Sequence, residues 1–287
     1  MPKAFCPGHI TCFFSPGDIG GDLSSCGSTG LGIRLSAGAT VTVEETASDR
    51  VSVVIDGVQS PAPVTVGVIR GMMPGRGAEV TVENGLPVGE GFGMSAAGAI
   101  AAALCAEEIS GDLESDPWGA AHRAEITGGG GRGDVAAIQC ASHVPVRLRQ
   151  GIGKYGQVVD SGISFPVLTV AVLGPKMNTG KVLSDPASRQ RIFDCGRDAM
   201  RAFDGTKDSL FNESNRFSER IGLESAEISD AIRILRSGRR RAAMCMLGNS
   251  IFSDAPMKMV ADALPEADVF AVMSTREQAH LISRRGP

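Results

Sequence analysis

Three glycines at alternate positions, Gly89, Gly91 and Gly93, stand directly before an alanine-rich run in LPVGEGFGMSAAGAIAAALC, residues 86–105. Glycine tolerates positive φ and lets the backbone approach another group closely. The run behind it reads as a helix, and a helix start presents unpaired N–H groups at the positive end of its dipole. Together these features suit an anion, most often a phosphate. The competing reading is a glycine-rich turn ahead of a buried helix. A Walker-type loop is excluded, because neither Gly153-Lys154 nor Gly180-Lys181 is followed by Ser or Thr. The dinucleotide fingerprint fits loosely at Gly91-x-Gly93-x-x-Ala96, but the downstream Asp112 sits in the polar turn SGDLESDP with no strand before it. A protein-kinase loop fails for want of H-R-D and D-F-G.

The elements around this loop are mixed. Strand patterns precede it at 5–14, 33–45, 51–55 and 78–84 and suggest a mostly antiparallel sheet. Helical patterns follow over 95–109, 117–126 and 134–142, then a strand over 144–150. The second half opens with FPVLTVAVLG (165–174), a strand apolar on both faces, and continues through helices near 186–204, 208–221 and 225–237. A strand at 267–274 and a terminal helix close the pattern. At 287 residues, two domains sharing a cleft are expected, divided near residue 160 in GIGKYGQVVDSG, giving 1–160 and 161–287.

A net charge of −4, one Trp and one Tyr argue against a nucleic-acid partner. The basic run Arg239-Arg240-Arg241 reads as the end of a helix. Seven scattered cysteines without a C-x-x-C pair, no signal-peptide pattern and no apolar run long enough for a bilayer point to a cytoplasmic protein with no membrane partner.

The full string Pro87-x-Gly89-x-Gly91-Phe92-Gly93-Met94-Ser95-Ala96-Ala97 closely resembles the central ATP-binding motif of the GHMP kinases, small-molecule kinases of galactose, homoserine, mevalonate and phosphomevalonate. The resemblance implies ATP held by these residues and Mg²⁺ held partly by Ser95. Met94 stands where the family usually has a first serine. AHRAEITGGGGRGDVAAIQC (121–140) resembles the segment in which a glutamate binds magnesium and a later aspartate faces the hydroxyl to be phosphorylated, places taken by Glu125 and Asp134. The chemistry is consistent, since Mg²⁺ takes hard oxygen ligands and phosphoryl transfer needs mainly position and charge neutralisation. Asp134 would orient or deprotonate the acceptor at a helix start that favours its ionised form. Read without the motif, Asp134 is an ordinary helix cap and Glu125 a solvated helix residue.

Cys6-Pro7-Gly8-His9-Ile10-Thr11 resembles the family's first motif, in which a Lys or Arg often follows Pro-Gly; here it is His9, placed near the acceptor. His9, Arg132 or the metal is left to supply the missing charge. PGHITCFF, GSTGLGIRLSAGATVTV (27–43), GPKMNTGKVLSDP (174–186) and CMLGNSIFS (245–253) resemble the archaeal branch that phosphorylates the terminal hydroxyl of pantoate during coenzyme A synthesis. In the last of these, Gly248 stands where many members have a glycine-rich third motif. Pantoate carries one carboxylate and two hydroxyls, so Arg34 and Arg132 become candidates for its acid group, along with the hydroxyls of Thr11, Ser28 and Thr179. The resemblance implies an α+β GHMP kinase fold. It pairs an N-terminal domain like domain 2 of ribosomal protein S5, containing a left-handed βαβ unit, with a ferredoxin-like C-terminal domain, and it allows a homodimer. A homoserine or mevalonate-type kinase, or a catalytically silent ligand-sensing relative, is the alternative.

Overall fold

The computed structural model describes residues 1–17, 20–112, 114–175 and 185–282. Its frame is a long antiparallel pair, β1 (Lys3–Pro16) and β2 (Ser28–Thr46), in the register His9 opposite Arg34 and Ile10 opposite Ile33. Irregularities between Pro7 and Gly8 and between Thr11 and Phe13 interrupt the ladder on either side of His9, and such bulges re-aim side chains. β5 (Gly77–Asn84) pairs antiparallel with the far half of β2, β3 (Val51–Ile55) runs parallel to β5, and β4 (Val58–Ser60) forms the edge. A parallel pair needs a crossover, and α1 (Pro63–Met72) supplies it. β6 (Pro145–Arg149) pairs with the near half of β2 and with β7 (Gln157–Asp160).

α2 (Met94–Ser110), α3 (Pro117–Thr127) and α1 cover one face of this sheet. α2 is buried along nearly its whole length among Val41, Val82 and Ile69. Its alanines explain this, because small side chains let a helix lie close to its neighbours while keeping the highest helix propensity. α4 (Asp134–Gln139) is short and ends before Cys140, three residues earlier than the expected helix over 134–142.

A second, antiparallel sheet takes the strands in the order β11-β8-β10-β9, namely β8 (Leu168–Val172), β9 (Ala242–Met244), β10 (Ser250–Ser253) and β11 (Asp268–Val272). The helices Lys207–Ile221 and Ala226–Ser237 bury their apolar stripes against it, while Pro186–Ala202 packs on β1 of the first sheet and on Lys207–Ile221. One apolar cluster runs without a break from Ile10, Phe13 and Leu31 of the first sheet to Val170, Phe211 and Phe252 of the second. Close approach joins them: an added Cβ at Gly196 would lie 1.9 Å from Phe14 O.

The chain end departs from expectation. In place of a terminal helix, residues after 274 are extended as far as they are described, and β12 (His280–Leu281) pairs with β1, Ala4 facing Leu281 and Phe5 facing His280. Backbone bonds from Ser36 N–H to Met273 O (2.8 Å) and from Thr275 N–H to Arg34 O (3.1 Å) draw this segment onto the open edge of the first sheet. α1 and the helix Met257–Ala263 were not expected from the sequence. The β-branched run PVTVGVIRGM hides α1, while Pro63 at its first position is the start signal. Among the described residues no helix is long and apolar enough to cross a membrane.

Candidate active site

The glycine loop opens onto a cavity of about 320 Å³ enclosed by the start of α2, β1, the segment 129–133 ahead of α4, and Met246 and Leu247 from the second sheet. Gly89, Gly91 and Gly93 all adopt left-handed backbone, with φ of 88°, 79° and 67°. Gly93 also presses against β1, since an added Cβ there would stand 2.7 Å from His9 O, and His9 N–H donates to Phe92 O at 3.0 Å. The first intrahelical bond of α2 runs from Ala97 N–H to Gly93 O (3.0 Å). The preceding amides of the first turn thus have no helical acceptor. Gly89, Gly91, Phe92, Gly93, Met94, Ser95 and Ala96 line the cavity. Pro87 does not, and Ala97 is buried on the back of the helix. Met94 offers no hydroxyl: its Cε fills the space beside Gly8, 2.4 Å from where a Cβ would be.

Below the helix start, Ser95 Oγ donates to Glu125 Oε1 at 2.5 Å. Glu125 is only 1% exposed, and its second oxygen, Oε2, is buried without a hydrogen-bond partner. Burial pushes its carboxyl up to about 7; the Ser95 hydrogen bond works against that rise and the nearby Asp134 charge adds to it. A hydroxyl beside a buried carboxylate with a spare oxygen is a hard-oxygen donor pair of the kind Mg²⁺ takes. Among the described residues no cluster of three or more His, Cys, Asp or Glu side chains offers a fuller protein cage.

Asp134, which lines the same cavity, opens α4 with its side chain 19% exposed. Its Oδ1 accepts from His9 Nδ1 at 2.7 Å and from Thr11 Oγ1 at 3.4 Å. Burial alone would raise the Asp134 carboxyl, but the His9 hydrogen bond and the Arg147 charge outweigh it and hold the group below its ordinary value. Burial pushes His9 the other way, down, so the ring stays neutral and Nδ1 carries the proton toward the carboxylate. Gly32 leaves the room for this ring: its Cβ would lie 2.1 Å from His9 Nε2.

Sequence reasoning missed Arg147. It is 1% exposed, its Nε donates to Ser28 O at 3.4 Å, and Nη1 and Nη2 have no partner. Two glycines form its slot, since a Cβ at Gly133 would fall 2.7 Å from Nε and one at Gly30 would fall 2.9 Å from Nη2. β6 is buried from Pro145 to Arg147 and exposed at Leu148 and Arg149, and the side-chain-free Gly30 opposite Arg147 leaves room for the guanidinium. Arg189 was missed as well. It lines the cavity from the helix Pro186–Ala202, with Nη2 on Gly17 O at 2.9 Å, and its charge adds to burial in lowering Arg132, which lines the same cavity.

Thr11, Ser28 and Arg132 also line the cavity. Arg34 does not: its guanidinium donates to the carbonyls of Ser142 (3.5 Å), Thr275 (3.5 Å) and Glu277, fastening the chain end. Thr179 lies outside the described residues.

The family described as GHMP kinases N terminal domain matches residues 64–141. A pantoate kinase of Thermococcus kodakarensis is 30% identical over 264 residues, 88% of this chain and 86% of the relative. The chain is a GHMP kinase. A pantoate kinase of Methanospirillum hungatei is 28% identical over 87% of this chain and 86% of the relative. A solved structure titled "Phosphotransferase related to CoA biosynthesis pathway" is 26% identical, with a TM-score of 0.86 and 99% of both chains covered. As a GHMP kinase the protein is a small-molecule kinase with the α+β fold of that family and ATP as its phosphate donor.

Proposed function

We propose that this GHMP kinase transfers the γ-phosphoryl group of ATP to the terminal hydroxyl of pantoate, yielding ADP and 4-phosphopantoate in coenzyme A biosynthesis. The observation that carries the reading is one cavity lined by both a glycine loop at a helix start and the His9-bound Asp134 carboxylate. The acceptor's identity is supported by the two relatives named pantoate kinase, aligned over most of the chain.

In this reading the loop amides and the α2 dipole bind the phosphates of ATP. Ser95 and Glu125 Oε2 hold Mg²⁺, which when bound neutralises charge on the phosphates. Asp134, kept ionised, orients the acceptor hydroxyl and takes its proton, and His9 fixes which carboxylate oxygen is free to do so. Thr11 and Ser28 offer hydroxyls to the acceptor and Arg132 and Arg189 add positive charge within the same cavity, while Arg147, buried behind Gly133 and outside the lining, acts through its charge on Asp134.

The test is ADP release with ATP and Mg²⁺ against pantoate, homoserine, mevalonate and glycerate, with a no-acceptor control. Selective turnover of pantoate is expected; preference for another acid moves the acceptor, and ATP binding without turnover of any moves the protein to a sensing role. Asp134→Asn should retain ATP binding and lower kcat by about 10²–10⁴-fold, the usual worth of a positioned acid or base. Unchanged turnover would remove Asp134 from the reaction.

A further inference from the structure

The turn between β9 and β10 lies against the glycine loop more closely than side chains would permit. An added Cβ at Gly248 would sit 2.2 Å from both the carbonyl carbon and oxygen of Glu90 and 2.6 Å from the Gly91 nitrogen. Reciprocally, a Cβ at Gly91 would sit 3.0 Å from Met246 O and 3.1 Å from Cys245 Cβ. Hydrogen bonds fasten the two segments: Asn249 N–H donates to Glu90 Oε2 at 3.2 Å, and Ser250 Oγ donates to Glu90 O at 2.6 Å. The turn is in turn tied to its own sheet, because Asn249 O accepts from Leu173 N–H (2.9 Å) and Asn249 Oδ1 accepts from Ser225 Oγ (3.0 Å). It also reaches β1 through Met246 N–H to Thr11 O (3.0 Å). Leu247 at its apex has φ 66° and lines the cavity. A leucine keeps that conformation only where the surroundings hold it.

Glu90 itself is 3% exposed. Its side chain and its carbonyl both accept from the 245–250 turn. We propose that Glu90 is a positioning residue that latches the 245–250 turn onto the glycine loop, holding the loop in the left-handed form that turns its amides toward phosphate and making nucleotide affinity depend on the second sheet. This rests on the reading of the loop as the site for the phosphates of ATP.

The test is equilibrium binding of Mg·ATP by calorimetry, together with KM for each substrate and kcat. Glu90→Ala should weaken ATP by about tenfold, the order expected for losing a charge-assisted hydrogen bond, while the acceptor KM stays within about twofold, inside the spread of context effects on a contact not made. Glu90→Gln should recover most of the affinity, because its amide oxygen still accepts from Asn249. Gly248→Ala should act like Glu90→Ala by prising the segments apart, and Ser250→Ala, which removes one bond and leaves the core intact, should show a smaller loss of ATP affinity and carries the test if the others do not fold. Wild-type ATP affinity in the folded Ser250→Ala and Glu90→Ala proteins, or acceptor KM rising as much as the ATP dissociation constant, overturns the latch. Absence of saturable ATP binding by the unaltered protein overturns the phosphate-loop reading and the latch with it.

Discussion

Glu125 is the residue whose environment makes the sharpest demand. Its carboxyl, raised by burial to about 7 against an ordinary 4.5, is largely protonated in the free protein at pH 6. A raised value in the folded state favours folding at acid pH, and that contribution fades as the pH climbs from about 4.5 through about 7. Binding of a divalent cation requires the carboxylate, so Mg·ATP should release close to one proton at pH 6 and almost none at pH 8.5. Calorimetry in two buffers of different ionisation enthalpy measures this directly, and Glu125→Gln should abolish the difference. Asp134 contrasts with it: although burial works against its charge, the hydrogen bond from His9 and the Arg147 charge keep it ionised below its ordinary value. Two carboxyls in one cavity thereby differ: Glu125 gives up its proton only where a cation replaces it, and Asp134 is already ionised and able to accept one.

At the scale of elements, the decisive junction is the entry to α2. Gly93 must be left-handed, and it must also lie flat against β1, where His9 O stands 2.7 Å from the position of a Cβ. Gly93→Ala should therefore destabilise the protein by at least about 1–3 kcal/mol, the cost of a strained non-glycine backbone conformation before any clash is counted. Urea unfolding measures the loss, and the ATP dissociation constant should rise with it because the same residue sets the direction of the first-turn amides. β6 illustrates the reverse case. The sequence marks it only as a strand, whereas pairing with Gly30 gives the Arg147 side chain room inside.

For the molecule as a whole, Arg34 does its work far from the cavity. It ties β2 to the chain end through the carbonyls of Thr275 and Glu277 and to the segment before β6 through that of Ser142, and the described tail then adds β12 to the first sheet. Arg34→Met should lower stability by about 2–4 kcal/mol, as expected when a buried hydrogen-bonding hub is removed, and should leave both KM values unchanged. A rise in the acceptor KM without loss of stability would return Arg34 to the substrate. The unbroken apolar cluster between the two sheets has a comparable role, since it carries the 245–250 turn to the loop it contacts.

What could be read from the sequence was what depends on near neighbours along the chain. Alternate glycines before an alanine run locate the loop because positive φ and helix initiation are local properties, and Glu125 and Asp134 could be singled out by comparing short motifs. The strands 5–14, 33–45, 51–55 and 78–84 were legible from their apolar alternation, while α1 was obscured by its β-branched residues. The three arginines were decided only by tertiary structure. Arg34, with nothing local to separate it from a ligand, became a tie for the chain end; Arg147 was drawn inward by Gly30 and Gly133, both distant and both earlier in the chain; Arg189 met the cavity because its helix packs on β1. A long cationic side chain follows whatever space and carbonyls the folded neighbours leave, and no pattern along the chain encodes that.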